Sequence, residues 1–379
     1  MSHSTRHPEF PLSEELIYFN HAAVGPWPDR TRRAVVEFAE QNCRFGAAFY
    51  PDWLKKESLL REQLQALINA PSSTDIALVK NTSEALSFVA YGLDWQSGDN
   101  IVTSDEEFPS NRLPWESLAA KGVELRQAGL YSAESPEDAL FALVDRNTRL
   151  LTVSSVQFAT GLRLDVEKIG AFCKQRDILF CIDAIQSIGA VRFDVQACQA
   201  DFVMADGHKW LFGPEGLGVF YTTPEARNRL KLTQFGWHMM KDTHNYENHP
   251  WEMHPTARRF ECGSPNMLGI QGLSASVSLL LETGMETIES LLSERVDYLR
   301  ERIERHAELE LLSPTPSALK SGIVVFKHNT VPNQVLYPYL MQHKVICALR
   351  GAGIRFSPHF YNGLEQIDQA LAIIDRYPD

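Results

Sequence analysis

Between about residue 75 and residue 222 the chain alternates short, almost wholly apolar runs with stretches whose apolar positions recur at helical spacing. The apolar runs lie at residues 76–79, 101–103, 150–153, 178–182, 202–205 and 217–221, and helical spacing occupies residues 83–91, 114–121 and 166–176. A strand without polar alternation is one covered on both faces, and strands separated by helices tend to pair in parallel. The pattern therefore predicts an α/β fold, a mostly parallel central sheet with helices on both faces. Elsewhere the chain reads as more helical. Leu60, Leu64, Leu67 and Ile68 share one helix face, as do Ile288, Leu292, Val296, Leu299 and Ile303. A long helical pattern over residues 267–306 predicts the link to a smaller C-terminal α/β domain, with strands at 323–326 and 345–349 and a closing helix at 367–374. The expected division is a large domain, residues 1–265 with an N-terminal arm over 1–30, and a small one, residues 266–379. Residues 237–259 carry His, Asn and Pro without a period and read as a loop.

A chain of 379 residues is longer than one hydrophobic core supports, and 44% hydrophobic with 22% charged residues is ordinary for a soluble protein. Thirty-six basic against forty-eight acidic residues leave a formal charge of −12, which argues against nucleic acid and anionic membrane surfaces as partners. Six cysteines (Cys43, Cys173, Cys181, Cys198, Cys262 and Cys347) are scattered without a C-x-x-C pair, several inside apolar runs. They read as reduced, buried thiols of a cytoplasmic protein. With no apolar N-terminal segment and no apolar run near the length of a membrane span, neither export nor a membrane helix is expected.

Ligands of open α/β sheets bind beyond the carboxyl ends of the strands, and chemically capable residues gather there. The strand at 178–182 runs into Asp183-Ala184-Ile185-Gln186, and that at 202–205 into Asp206-Gly207-His208-Lys209-Trp210. The strand at 76–79 leads to Lys80-Asn81-Thr82-Ser83-Glu84, a helix start with Thr82 or Ser83 as N-cap, and Phe108 follows the strand at 101–103. Taken singly each has a plain reading: a solvated lysine, a capping aspartate, a capped helix, a core phenylalanine. Taken together they meet the needs of pyridoxal phosphate (PLP). Lys209 supplies the amine for an internal Schiff base and shuttles the substrate α-proton, while Asp183 keeps the pyridine nitrogen protonated. Thr82 and Ser83 at a helix start hold the phosphate, and Phe108 stacks on the ring.

Other motifs fail on inspection. Gly213, Gly216 and Gly218 do not form G-x-G-x-x-G and precede a strand, so no dinucleotide site is expected. His238, His244, His249 and His254 match no zinc spacing, and no metal is expected there; the segment reads as a polar active-site loop. Trp27 and Trp237 either line the substrate pocket or pack.

On these residues the chain resembles the class V aminotransferases of fold type I, PLP-dependent enzymes that include cysteine desulfurases, kynureninases and isopenicillin N epimerase. Asp183-Ala184-Ile185-Gln186-Ser187 is similar to the D-x-x-Q segment, and the run from Asp201 to Lys209 to D-F-x-x-x-x-x-H-K. Residues 259–266 are similar to R-F-E-x-G-[ST]-x-N, and the likeness extends from Tyr18-Phe19-Asn20 to Arg355-Phe356-Ser357. The resemblance implies that residues 1–265 form the PLP-binding domain, that Lys209 forms the Schiff base, that Asp183 pairs with the pyridinium and that Gln186 bonds the ring O3′. It implies that Thr82, Ser83 and His208 hold the phosphate, with Gly263 and Ser264 reaching the phosphate of a partner subunit in a homodimer. Arg355 would grip the substrate α-carboxylate, and Asn20 and Trp27 would stand near the substrate.

Three departures bear on activity. Phe108 replaces a stacking His or Trp. Asp206 stands where a phosphate-binding Ser or Thr is frequent and, being repelled by phosphate, is expected to point elsewhere. Residues 350–355 are too short for the desulfurase loop and contain no cysteine. These departures lead to the expectation of an aminotransferase-like enzyme acting on an α-amino acid that is not a cysteine desulfurase. An isopenicillin N epimerase-like racemase or epimerase, or a C–S lyase, is the alternative. A PLP-binding protein without catalysis is the non-enzyme reading, against which Arg355 argues.

Overall fold

Among the residues described by the computed structural model (7–131, 133–243, 251–314 and 320–378), seven strands form the central sheet. They are β1 Ile76–Val79, β2 Asn100–Ser104, β3 Glu124–Ala128, β4 Thr148–Ser154, β5 Leu179–Asp183, β6 Phe202–Asp206 and β7 Gly218–Thr222. Their order is β1-β7-β6-β5-β4-β2-β3. Only β7 runs against its neighbours, antiparallel to β1 and β6, while the other pairs are parallel. The mostly parallel sheet expected from the apolar runs is thus present.

Alternate residues of each strand feed separate apolar layers. Phe180, Ile182, Val203 and Ala205 pack into one layer with Leu60, Leu64, Ile270 and Leu273. Cys181, Phe202, Met204 and Phe220 pack into the other with Phe88, Val89, Ile101 and Leu150. Burial on both faces is why these strands carry no polar alternation. β3, with the sequence Glu-Leu-Arg-Gln-Ala, lies at the sheet edge and is half exposed, so its polarity hid it from the hydrophobic pattern.

The helices α1 Asp29–Phe45 and α2 Tyr50–Ile68 precede the sheet, and α3 Thr82–Gly92 follows β1. The helix expected at 114–121 is one α turn, Leu113–Glu116, continued as the 3-10 segment Ser117–Lys121. The long pattern at 267–306 divides at Gly284, whose φ of 82° suits glycine, into α4 Met267–Thr283 and α5 Met285–Glu304. Beyond it β8 Leu309–Leu311, β9 Val324–His328, β10 Ala348–Arg350 and β11 Gly353–Phe356 form a second, antiparallel sheet in the order β10-β11-β9-β8. The single strand expected at 345–349 is two pieces. Val345–Ile346 pairs in parallel with Ile17–Tyr18, and the chain then turns into β10. The 237–259 loop contains 3-10 turns at Trp237–Met239 and Ala257–Phe260 and a bridge from Met240 to Met253. Its residues 244–250, with His244 and His249, lie outside the described residues. No helix among the described residues is long and apolar enough to cross a membrane.

Candidate active site

β5 and β6 end side by side in Asp183 and Asp206, and α3 begins nearby after β1, so three strand ends open onto one volume. The pocket there measures about 270 Å³. Thr82, Phe108, Asp183, Gln186, His208, Lys209 and Arg355, all singled out in the sequence, line it together.

Asp183 is buried, with Oδ1 accepting the Ile185 N–H at 3.0 Å. Burial raises its pKa above the usual carboxylate range, opposed by that hydrogen bond. Burial pulls the Lys209 ammonium the other way, below the usual lysine range; Asp183 opposes the shift and Arg355 adds to it. The lysine Nζ lies 5.7 Å from the centre of the Phe108 ring, which meets Phe158 edge to face. Gln186 is held at both ends: its Oε1 accepts from Trp210 Nε1 at 2.7 Å and its Nε2 donates to the Ala22 carbonyl at 3.0 Å. One amide proton of Gln186 is left for the pocket.

Arg355, on β11, is 1% exposed, yet it has no carboxylate partner among the described residues. Its Nη1 donates to the Phe158 carbonyl at 2.8 Å and its Nε has no hydrogen-bond partner. Burial lowers its pKa to about 9, with Arg350 contributing. A buried guanidinium without a counter-charge is costly unless an anion completes it.

At the start of α3 the N-cap is Asn81, not Thr82 or Ser83: its side chain accepts the Glu84 N–H at 2.9 Å. Thr82 is the first helical residue, 3% exposed, with a hydroxyl that has no partner. Ser83 is exposed, donates to Ser110 and does not line the pocket. Asp206 corrects a second expectation. Its carboxyl does not point elsewhere but lines the pocket with Thr82, because the last residue of β6 faces the helix start. His208 Nδ1 stands 3.8 Å from Asp206, and burial, then Lys209, lowers the histidine pKa.

Asn20 and Trp27 do not line the pocket. Asn20 makes a backbone bridge to Ser357, and Trp27 is 41% exposed. The adjoining residues Ala22, Ala23 and Val24 form the wall instead, small side chains without a chemical signature. Trp237 is also absent from the lining. Gly263 and Ser264 lie in a separate cleft of about 150 Å³ with Lys80, Glu84 and Asn266. Arg350, Ser110, Phe158 and Glu215 join the lining unannounced by the sequence motifs. So does the support beneath Phe108. The neighbouring Glu107 is buried and accepts from Ser104, Asn111, the Ser154 backbone and hydroxyl, and Gln157 at 2.6–3.2 Å, locking the loop after β2 to β4. No cysteine lines the pocket; Cys347 is buried, its thiol pushed up to about 12 by burial.

These residues fit a PLP molecule. The floor offers a buried carboxylate, the wall an amine of depressed basicity and an aromatic face, the helix start an unpartnered hydroxyl, and the far side an unpaired arginine.

The profile of the Aminotransferase class-V family matches residues 17–369. A probable cysteine desulfurase of Methanothermobacter thermautotrophicus is 31% identical, covering 95% of this chain and 94% of the relative. The apo structure of a cysteine desulfurase from Thermococcus onnurineus NA1 is 26% identical with a TM-score of 0.86, covering 97% of this chain and 96% of that one. A structure of C-DES with glycine covalently linked to its PLP cofactor has a TM-score of 0.91 at 22% identity, over 98% and 99% of the two chains, which supports the fold. The expectation of an enzyme other than a cysteine desulfurase is corrected by the named relatives. The physical reason is separable chemistry: breaking a carbon–sulfur bond calls on the lysine, the cofactor and the carboxylate grip. An enzyme cysteine is needed where the sulfur itself is attacked and leaves as a persulfide, with alanine as the organic product; elimination of sulfide, which ends in pyruvate and ammonia, needs none.

Proposed function

This chain belongs to the class V aminotransferase family and is a PLP-dependent enzyme, and from that premise we propose that it breaks the carbon–sulfur bond of a cysteine-class amino acid. The observation that carries the reading is the pairing of a half-buried lysine beside the buried Asp183 with a buried arginine that has no counter-ion among the described residues, in a pocket of amino-acid size. Relatives named cysteine desulfurase over almost the whole chain direct it to sulfur substrates.

When bound, PLP supplies the electron sink that makes the α-proton and the β-substituent of an amino acid labile. Lys209 holds the cofactor aldehyde and then works as the base at the α-carbon; its depressed basicity makes the neutral amine available near neutral pH. Asp183 holds a proton on the pyridine nitrogen, an interaction strengthened by the dry surroundings that raise its own pKa. Gln186 turns its remaining N–H toward the ring oxygen, and Phe108 covers one ring face on a loop that Glu107 keeps rigid. Thr82 and His208 hold the phosphate end. Arg355 takes the α-carboxylate through the Nε edge left open by its bond to Phe158. Gly263 and Ser264, in their separate cleft, are read as reaching the phosphate of a second subunit. The boundary between PLP-binding and C-terminal domains is read at residues 265–266, just before α4.

The test is an absorbance titration of the purified protein with single amino acids, with sulfide, alanine and pyruvate measured in parallel. L-Cysteine or cystine should shift the cofactor band and release sulfide or a persulfide together with pyruvate and ammonia, or, with an added thiol that takes the sulfur as a persulfide, alanine. A band that shifts only with amino acids lacking sulfur, with no sulfur released from any substrate, sinks the reading.

A further inference from the structure

Two groups at the start of α3 have polar atoms that the chain leaves unmatched. Thr82 Oγ1 and Asp206 Oδ1 are both buried without a hydrogen-bond partner, and both residues line the same pocket. Oδ1 lies against the Gly218 backbone, and the Asp206 carboxyl offers the pocket its Oδ2 edge, 3.8 Å from His208 Nδ1. The Thr82 hydroxyl can donate to an anion lying at the helix start. An ionised Asp206 can only accept, and a phosphate can only accept. Two acceptors facing each other in a dry site repel, unless a proton lies between them.

The other charges around Asp206 do not remove the conflict. Its own turn contributes His208, 3.8 Å away, and Lys209; β5 contributes Asp183, and the turn before β7 contributes Glu215, a further negative charge. α3 presents the Thr82 backbone N–H to the carboxylate but no titratable group, and β7 presents only the Gly218 backbone. In the proposed function Lys209 is joined to the cofactor aldehyde, so it no longer offers Asp206 a free ammonium.

We propose that Asp206 is a cofactor-positioning residue whose carboxyl group is protonated in the PLP complex and donates a hydrogen bond to the phosphate, so that binding the phosphate takes up one proton. This rests on the reading that places the phosphate at the start of α3. In the free protein burial raises the Asp206 carboxyl pKa to about 6, opposed by the Thr82 backbone N–H and Lys209. A neighbouring phosphate dianion raises it further. Between the free and the bound pKa the bound state holds one proton more, so affinity for the phosphate falls as pH rises, about tenfold per pH unit.

Pyridoxal and pyridoxal phosphate meet the same Lys209, Asp183 and Gln186, so the ratio of their affinities isolates the phosphate end. The ratio is measured on dialysed apo-protein by cofactor absorbance from pH 7 to pH 9, above the second phosphate ionisation at about 6. In the wild type it should fall as pH rises from 7, by as much as tenfold per unit up to the pKa of the bound carboxyl and levelling off above it. In Asp206→Asn and Asp206→Ser it should be flat and, at pH 9, higher than in the wild type. A wild-type ratio that is large and flat overturns the proton-sharing role while leaving the phosphate at α3. A ratio near one at every pH overturns both, because the phosphate is then not held there. The wild-type slope decides by itself, whatever the folding of the variants.

Discussion

Two groups of buried charges in this molecule look alike in composition and differ in what the chain leaves undone. In the first, Arg61 donates to Glu57 at 2.6 Å and to both oxygens of Glu261 at 2.6 and 2.7 Å, while Glu261 also accepts the Leu78 N–H at 2.8 Å. Arg258 donates to His238 Nε2 at 2.9 Å beside them. Glu57, His238 and Glu261 stand close enough to ligate a cation, but Arg61 already neutralises the carboxylates. Its pKa is held above the ordinary arginine value, Glu261 and Glu57 outweighing the cost of burial. In the second group Asp183 has one backbone N–H, Arg355 one carbonyl, and Thr82 and Asp206 keep unmatched atoms. Both groups keep unmatched atoms, His238 Nδ1 and Arg258 Nε in the first. What separates them is that the first pairs its carboxylates with Arg61, while the second leaves Arg355 without a counter-charge among the described residues. That unpaired charge marks the group that waits for a ligand.

The contrast can be broken most sharply at Lys209. Lys209→Ala should lower amino-acid turnover about 10³-fold and abolish the cofactor band that survives borohydride reduction and dialysis, since a lost base and attachment point has no substitute in the pocket. Retention of that band would place the attachment elsewhere. Next comes the group whose carboxylates are paired. Arg61→Met leaves Glu57 and Glu261 buried and unpaired, which should cost about 3–5 kcal/mol in thermal or urea unfolding while turnover per folded molecule stays unchanged. A variant that unfolds like the wild type but turns over slowly would make this group part of the machinery and erase the comparison. The smallest effect is expected at Arg355. Arg355→Ala should raise KM about 10- to 100-fold with cofactor affinity intact, the worth of a charged hydrogen bond. Equal losses of substrate and cofactor binding would make Arg355 scaffold.

What the sequence disclosed follows from the same physics. β1, β5, β6 and β7 are buried on both faces, so each reads as a continuous apolar run. α1 fully buries only Thr31 and β3 is an exposed edge, so neither carries the run of fully buried apolar positions that marks the core elements. Of the site, Lys209, Asp183 and Thr82 were legible because each ends a strand, lies in the turn just after one or opens a helix, where side chains converge without knowledge of the packing. Ala22, Ala23, Phe158 and Arg350 were not, since they arrive from distant parts of the chain and carry common side chains. The orientation of Asp206 also escaped: repulsion from a phosphate said it should turn away, whereas the β6 backbone fixes where it points.

The wall made by the N-terminal segment has a consequence for the order of events during synthesis. Ala22 is hydrogen-bonded through its carbonyl to Gln186, 164 residues later, and through its N–H to Ser357, 335 residues later. Gly25 lies so close to the lysine turn that its N–H bonds the His208 carbonyl at 2.7 Å and a Cβ would stand 2.2 Å from the Lys209 carbonyl oxygen. Contacts of such separation close late, after the loops between them have paid their entropy. The segment around Ala22 and Gly25 therefore waits for residues 186–209 to be made, and its bond to Ser357 waits longer still. This wall of the lysine turn is a long-range product of folding, not a local one.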